Sequence, residues 1–214
     1  MGNNYSMRLI LIANWGLGLE ILKVLDSMPD ITIAIIVTQY NRDSSDVWYN
    51  VVHDFAKQKA YPTIIQDALS FSELEELIIK QNIDLLVLHA FMKILPREVY
   101  SAPKYGSINI HPSLLPKYRG PSPSYWVIKN KEHITGLTCH YINDGIDTGD
   151  IISQVAIEVD TEDTVESIIE KQKGVVKMLL TEALSRIVDT DFRPIPQTSD
   201  RACYAPRPKS ISDI

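Results

Sequence analysis

The chain has 214 residues, of which 45% are hydrophobic and 22% charged, and these values are typical of a folded protein with a substantial core. They exclude a disordered chain and a collagen-like or coiled-coil repeat. With 21 basic and 27 acidic residues the formal net charge is -6, so the surface as a whole does not favour a nucleic acid as partner.

The cysteine content and the N-terminus indicate the compartment. Cys139 and Cys203 match neither a disulfide framework nor a metal-ligand spacing, and such cysteines are typical of a reducing environment. Residues 1–7 carry no basic stretch before a long apolar run, and no later apolar segment approaches the roughly 18 residues that cross a bilayer. We therefore expect a cytoplasmic protein without membrane association.

The first half of the chain alternates apolar strand patterns with helical patterns. This alternation predicts parallel strands joined by right-handed crossovers, which is a Rossmann-like, doubly wound α/β fold with a mostly parallel sheet. Ligands of such folds gather at the carboxyl ends of the strands. The predicted strands cover residues 7–13, 31–37 and 83–89; a tight turn at 15–18 leads into a helix, and further helices cover 47–59 and 71–81.

The second half changes character. Residues 107–111 predict a strand, the proline-rich residues 112–123 an ordered loop, and residues 125–129 a short helix. Two strand patterns, 133–142 and 151–159, should pair across a turn-rich segment. Thr161 is predicted to open a long helix, and an irregular tail begins at about residue 192. No repeat or linker is visible, so residues 1–214 are expected to form a single domain.

The glycines after the first strand suggest a dinucleotide-binding turn only in part. Gly16 and Gly18 could let backbone amides approach a phosphate, but Ile21 stands where the fingerprint requires its third glycine. No acidic residue closes the second strand. A tight strand-to-helix turn is therefore favoured, and no nicotinamide cofactor is predicted.

Asn109 and His111 form the first candidate site. Residues two apart in a strand face the same way, so the carboxamide and the imidazole should project together, with Pro112 ending the strand. A buried, hydrogen-bonded pair that only holds the loop is the structural alternative. Asp144, Asp147 and Asp150 follow on a glycine-punctuated loop, where a carboxylate could orient the imidazole for acid–base chemistry. A calcium loop is disfavoured, because no glutamate follows at the required spacing.

Two long motifs that contain these candidate residues resemble those of a known family. Residues 109–116 (NIHPSLLP) and 145–150 (GIDTGD) closely resemble the signature of formyltransferases that use 10-formyltetrahydrofolate. The resemblance covers almost the whole chain, including residues 91–96 (FMKILP). It implies the family's catalytic domain, with 10-formyltetrahydrofolate as co-substrate and no metal.

The resemblance also assigns roles to individual residues. It implies that Asn109, His111 and Asp147 are catalytic. The amide would donate to a tetrahedral oxyanion, the imidazolium would stabilise that charge or protonate the leaving nitrogen, and the aspartate would sustain the imidazolium and help remove the acceptor's proton. The implied folate-binding residues are Met92, Lys93, Ile94, Leu95, Asn143, Asp144, Gly145 and Ile146, and the implied acceptor-binding residues are Ser113, Lys117, Tyr118, Arg119 and Trp126.

The acceptor amine is inferred from the positions at which this chain differs from the branches of the family that use different acceptors. Glycinamide ribonucleotide formyltransferases carry a Gly-Ser-Asn-Leu phosphate cradle, where this chain has Gly16 to Leu19. Methionyl-tRNA formyltransferases usually carry a basic insertion after the second strand and a C-terminal barrel that grips RNA. Here residues 38–46 contain one basic residue, Arg42, and the chain ends near where the barrel would begin. Both alternatives remain open but are less favoured.

Formyltransferases acting on nucleotide-linked amino sugars are the favoured branch. Residues 15–20 resemble their first turn, and residues 117–126 resemble their acceptor-side loop, where Lys117 and Arg119 could meet a diphosphate. These enzymes usually continue into a further module, often tied to dimerisation, past a segment like residues 202–208. Either this chain is a catalytic core without that module or its acceptor recognition has diverged. Small-molecule substrates and a homodimer fit this interpretation. A hydrolase that releases formate, or a non-catalytic folate binder, is the least favoured alternative.

Overall fold

The computed structural model describes residues 6–208. The chain divides into two compact units, Met1–Ile108 and Asn109–Ile214. Residues 1–5 and residues 209–214, which end the predicted irregular tail, lie outside the described part. In residues 6–208, no helix combines the length and the apolar character that crossing a membrane requires.

Within residues 6–106 the first unit contains four parallel strands, four α-helices and a short 3₁₀ helix, Gln66–Ala68. The strand order is β3-β2-β1-β4, and β1 pairs with β2 on one side and with β4 on the other. Leu9 to Ala13 of β1 are fully buried, as expected for a continuous apolar run in a parallel sheet. The elements are β1 (Met7–Ala13), α1 (Trp15–Asp26), β2 (Ile31–Thr38), α2 (Val51–Gln58), β3 (Thr63–Ile65), α3 (Phe71–Lys80), β4 (Leu85–His89) and α4 (Arg97–Tyr100).

The second unit places three strands beside one long helix. Strand β5 (Ser107–His111) starts at the end of the first unit and continues into the second, where β5, β6 and β7 follow in that order. Strands β6 and β7 pair, as predicted, and the pairing is antiparallel. The remaining elements are α5 (Pro123–Lys129), β6 (Ile134–Tyr141), β7 (Ile151–Glu158) and α6 (Val165–Val188). The predicted α/β class with a mostly parallel sheet is confirmed.

Four helix starts differ from the predictions, since α5 also begins two residues early, at Pro123, and at α2 and α6 the reason is a side chain that bonds to the backbone. Helix α1 begins at Trp15 itself, so the expected turn is its first turn. Helix α2 begins at Val51 and not at residue 47, since the Asp46 carboxylate accepts from the Trp48 N–H at 2.8 Å and stabilises a turn. Helix α6 begins after Thr164, whose side chain forms a capping box with Ser167. The short elements β3 and α4 were not predicted.

Candidate active site

The site is built within the second unit, around the carboxyl end of β5. Ile108 and Ile110 are buried in the core, whereas Asn109 and His111 alternate with them and share the opposite face of the strand. Pro112 follows directly and ends the strand. The predicted pairing of a carboxamide with an imidazole is therefore present.

Asp147 reaches this strand end from the loop between β6 and β7. Its backbone lies in the left-handed region, with φ at 51°, and its side chain is 15% exposed. One carboxylate oxygen, Oδ2, accepts from the Gly120 N–H at 2.8 Å. Gly120 has φ at 104°, and a Cβ there would lie 2.6 Å from the Tyr204 ring, so glycine is required for this backbone to approach the carboxylate.

The hydrogen bonds of His111 determine which of its nitrogens can titrate. Nε2 lies 2.8 Å from the carbonyl oxygen of Tyr118, which can only accept, so Nε2 carries a hydrogen. Nδ1 faces Oδ2 of Asp147 at 3.5 Å. In the neutral imidazole Nδ1 is therefore unprotonated, and a proton taken up there lies beside a carboxylate.

A second histidine, His140 on β6, completes the cluster. Its Nδ1 donates to the carbonyl oxygen of Tyr141 at 2.8 Å, which leaves Nε2 as an acceptor in the neutral ring. Nε2 lies 3.2 Å from Nδ2 of Asn109 and 3.5 Å from Oδ1 of Asp147. His140 was not among the predicted site residues, although its place near the end of a predicted strand, before the aspartate loop, indicates a polar residue close to the site.

The carboxamide of Asn109 is already engaged in this arrangement. Nδ2 lies 3.2 Å from Oδ1 of Asp147 and 3.2 Å from Nε2 of His140, so each of its hydrogens has a partner. Donation to an oxyanion, as the resemblance implies, therefore requires Asn109 to release one of these two partners.

The electrostatics of the cluster separate a permanent anion from a titratable base. Burial alone acts to raise the pKa of the Asp147 carboxyl, but His111, His140 and the Gly120 N–H outweigh it and hold that pKa well below its usual range. Burial lowers the pKa of His111, against the opposing attraction of Asp147. At neutral pH the cluster therefore contains an ionised carboxylate beside an imidazole that can accept a proton.

Three of the predicted acceptor-binding residues hold the loop after β5 in place. Ser113 is fully buried and donates to the carbonyl oxygen of Lys117 at 2.7 Å. The Tyr118 hydroxyl donates to Glu132 at 2.7 Å, and burial raises its pKa to about 12. Lys117 pairs with the same Glu132 carboxylate at 3.3 Å. These contacts are internal to the protein and fix the shape of the loop, and the predicted contact of these three residues with an acceptor stays a prediction.

Trp126 and Arg119 are held by the C-terminal segment. The indole N–H of Trp126 donates to the carbonyl oxygen of Pro206 at 2.7 Å, and its ring packs edge-on against Tyr125. Arg119 donates from Nε and Nη2 to Oε1 of Gln197, at 3.1 and 2.7 Å. In residues 6–208 the Arg119 guanidinium pairs with no carboxylate, so its positive charge is not neutralised.

The predicted folate-binding residues are described in each unit separately. In the first unit Met92 and Ile94 are 40% and 67% exposed, Lys93 pairs with Asp67 at 3.5 Å, and Leu95 is buried. Met92 and Ile94 thus offer exposed apolar surface, whereas Leu95 anchors the segment in the core.

The second-unit part of that prediction is a tight turn next to Asp147. The Asn143 side chain accepts from the Gly145 N–H at 3.0 Å and from the Thr148 hydroxyl at 2.7 Å. Ile146 at its tip is 48% exposed, while Asp144 is also exposed. Across residues 6–208 no group of three or more His, Cys, Asp or Glu side chains is arranged to hold a metal ion.

Comparison with known proteins identifies the family. The fold and this cluster define an α/β protein with acid–base groups at a strand end. The chain belongs to the formyl transferase family, whose domain matches residues 31–184. The predicted family membership is thereby confirmed.

Individual relatives show how far the similarity extends. Methionyl-tRNA formyltransferase from Acetivibrio thermocellus is 38% identical over 155 residues, which are 72% of this chain and 50% of the relative. The chain thus spans about half the length of this curated relative. Among solved structures, phosphoribosylglycinamide formyltransferase from Bacillus halodurans is 27% identical, with a TM-score of 0.71 over 86% of this chain and 96% of that one.

A sugar-related enzyme shares the fold. An N-formyltransferase from Helicobacter canadensis, solved with folinic acid and dTDP-3-aminofucose, is 22% identical, with a TM-score of 0.72 over 98% of this chain and 72% of that one. At this identity the likeness concerns the fold alone. These matches confirm the formyltransferase fold that the sequence predicted.

Proposed function

We propose that this chain transfers a formyl group from 10-formyltetrahydrofolate to the amino group of an acceptor. The observation that carries the proposal is the Asp147 carboxylate, which lies within 3.5 Å of two buried imidazoles and within 3.2 Å of a carboxamide. Catalysis of acyl transfer to an amine requires a proton acceptor and charge stabilisation, and this cluster contains groups for both.

The proton chemistry follows from the assigned hydrogen positions. The acceptor amine attacks the formyl carbon of the donor, and a tetrahedral oxyanion forms. The bond between that carbon and the folate nitrogen then breaks, and the proton that His111 has taken from the amine passes to the leaving nitrogen. His111 takes up a proton at Nδ1, because Nε2 is already tied to a carbonyl oxygen. Asp147 remains ionised and stabilises the resulting imidazolium, since its low pKa makes it a weak base but a strong counter-ion. Asn109 donates one Nδ2 hydrogen to the oxyanion after releasing His140 or Asp147.

For the donor we propose contacts that are described within each unit separately. In the first unit the exposed apolar side chains of Met92 and Ile94 support binding of an apolar ring. In the second unit the exposed residues Asn143, Asp144 and Ile146 support contact with the donor. Lys93 and Asp144 are part of the same proposal.

For the acceptor we propose a nucleotide-linked amino sugar. Arg119 carries a guanidinium that is not neutralised by a carboxylate in the described part of the chain, which suits a phosphate group. The net charge of -6 supports a small anionic substrate, recognised locally, over a long polyanion. Small-molecule substrates and a cytoplasmic location belong to the same proposal.

Methionyl-tRNA is the second candidate acceptor. It is favoured by the 38% identity to the Acetivibrio thermocellus enzyme, which exceeds the 22% identity to the sugar-related structure. Against it stands the loop after β2, residues 39–46, in which Arg42 is the one basic residue. A protein that grips RNA needs several phosphate contacts.

One assay tests donor and acceptor together. The protein is incubated with 10-formyltetrahydrofolate and, separately, with nucleotide-linked amino sugars, glycinamide ribonucleotide and methionyl-tRNA, and mass spectrometry follows both formyl gain and folate release. We expect formyl gain on an amino sugar. Gain on methionyl-tRNA alone would overturn the acceptor assignment, and folate release with free formate and no modified amine would overturn transfer in favour of hydrolysis.

A further inference from the structure

The C-terminal segment after α6 is attached to the active-site loops at two points. Ile195 forms an antiparallel bridge with Ile151, with both N–H to oxygen distances at 2.8 Å. Tyr204 forms a parallel bridge with Arg119, next to the hydrogen bond from the Arg119 N–H to the Cys203 carbonyl oxygen at 2.9 Å. Residues 195–205, here called the tail strap, therefore run between the start of β7 and the loop after β5.

Between these two attachments, the side chain of Gln197 contacts both loops of the site. Its Nε2 donates to the carbonyl oxygens of Asp147 and Gly149, at 3.0 and 2.7 Å. Its Oε1 accepts from Nε and Nη2 of Arg119. Each hydrogen-bonding atom of one carboxamide is thus used, and the two ends of that carboxamide serve different segments.

The contact with Asp147 matters because the backbone there is unfavourable. A non-glycine residue with φ at 51° needs support from its surroundings, and Gln197 supplies it at the carbonyl group. The Gly120 N–H fixes the carboxylate end of the same residue. Asp147 is therefore held at its side chain by one loop and at its main chain by the tail strap.

The contact with Arg119 positions a cation without neutralising it. A neutral amide oxygen fixes the guanidinium, whereas a carboxylate in the same place would cancel its charge. The guanidinium keeps its positive charge, and its remaining N–H groups can donate to an anionic group of a ligand. Glutamine suits this place because it combines an acceptor for arginine with donors for two carbonyl groups.

We propose that Gln197 is a positioning residue that fixes the proposed catalytic carboxylate, Asp147, and the proposed acceptor-binding cation, Arg119, in one arrangement. The inference rests on the proposed formyl transfer. It implies that binding an anionic acceptor at Arg119 and orienting Asp147 depend on the same side chain. A displacement of about 1 Å in such a group can lower turnover by as much as ~10²-fold.

Substitutions can separate the two halves of this role. Gln197→Lys keeps a donor for the carbonyl oxygens but repels Arg119, so we expect the acceptor KM to rise about tenfold or more while kcat stays within about twofold. Gln197→Met keeps neither contact, so kcat should fall about tenfold and the acceptor KM should rise as well. The donor KM should not change in either variant. Ser199→Ala, an exposed position of the same strap, is the matched control.

The kinetic pattern distinguishes positioning from mere stabilisation. If Gln197 only stabilised the fold, the Lys and Met variants would lose active protein while both KM values stayed at those of the wild type, and this result would overturn the proposal. Wild-type kcat and KM in both variants would overturn it as well. Should Gln197→Met fail to fold, Gln197→Lys still tests the proposal, because positioning predicts a raised acceptor KM with a nearly unchanged kcat.

Hydrogen exchange separates this proposal from the proposed function. Without any substrate, amides of residues 143–150 should exchange faster in Gln197→Met than in the wild type or in Ser199→Ala. Faster exchange in a protein that formylates no acceptor would mean that the proposed function fails while the tie to the Asp147 loop holds. Formyl transfer by the wild type, with unchanged exchange and kinetics in the variants, would mean that the proposed function holds while Gln197 does not position Asp147.

Discussion

Asn14 in the first unit and Asn109 in the second both stand at or near a strand end, and their surroundings differ. Asn14 follows β1 in the first unit, is fully buried and makes four hydrogen bonds. Asn109 lies in β5 of the second unit and bonds to a carboxylate and an imidazole. The same side chain therefore occupies a neutral network in one place and an ionisable one in the other.

The partners of Asn14 leave no group to do chemistry. Nδ2 donates to Gln66 and to the Ala90 carbonyl oxygen, each at 3.0 Å, while Oδ1 accepts from Thr38 and from the Gln39 N–H. None of these groups titrates near neutral pH, and together they join the carboxyl ends of three strands to the segment after β3. A saturated neutral network stabilises a fold, whereas an anion beside two imidazoles can move a proton.

The largest effect should come from removing the charge of Asp147 in the ionisable network around Asn109. Asp147→Asn keeps an oxygen that can accept from the Gly120 N–H, so the fold should persist, but the amide cannot stabilise an imidazolium. We expect kcat for formyl transfer to fall about 10²- to 10⁴-fold. Steady-state kinetics beside circular dichroism measure this, with the exposed Asp191→Asn as control. Wild-type turnover in Asp147→Asn would show that the network around Asn109 is no more catalytic than the network around Asn14.

The Asp147 loop should also be more sensitive to added volume than the helix surface of the same unit. A Cβ at Gly149 would lie 1.8 Å from the Tyr141 carbonyl oxygen, which is backbone and cannot move aside. Gly149→Ala should lower the free energy of unfolding by about 3 kcal/mol. Gly174→Ala in α6, where a Cβ meets nothing within 4 Å, should raise it by roughly 0.5–1 kcal/mol. Urea denaturation compares the two, and equal effects would contradict the close approach.

Loss of the neutral network around Asn14 should lower the stability of the protein and leave its catalytic rate unchanged. Asn14→Ala leaves buried partners without their hydrogen bonds, which should lower the free energy of unfolding by about 1–3 kcal/mol. The kcat of the folded fraction should stay at the wild-type value. Ser72→Ala, exposed in the same unit, should change stability by less than about 0.5 kcal/mol. A large loss of kcat without a loss of stability would show that Asn14 belongs to the chemistry after all.

The smallest effect concerns pH. Burial lowers the pKa of His111, so the unfolded chain binds a proton there at a higher pH than the folded protein does. Stability should therefore fall as the pH drops below about 6.5, the ordinary value, by at most about 1.4 kcal/mol per pH unit from this residue.

A substitution isolates that contribution. In His111→Gln the slope of unfolding free energy against pH should be shallower just below pH 6.5, whatever the offset between the two proteins. The Asp147 contribution acts lower, because its depressed pKa gives stability that is lost only as the pH falls below about 4. Parallel curves for wild type and His111→Gln would show that His111 is not the buried base.

Parts of the site follow from short-range pattern. Strand β5 has the predicted bounds, and its period of two puts Asn109 and His111 on one face. The choice of Asp147 over Asp144 and Asp150 came from the resemblance to a family, since three aspartates on one loop have no local feature that separates them. Their separation from Asn109 along the chain, 38 residues for Asp147, is too long for periodicity to bridge.

The sequence by itself determined the alternation of strands and helices, the pairing of β6 with β7 and the family, because these depend on spacing within about ten residues or on contiguous motifs. Only the tertiary structure decided that His140 joins the cluster, that Tyr118 and Ser113 face inward, and that Gln197 ties Asp147 to Arg119. Those contacts join residues as far as 50 and 78 positions apart. Chain closure over such distances depends on how whole elements pack, which no local pattern records.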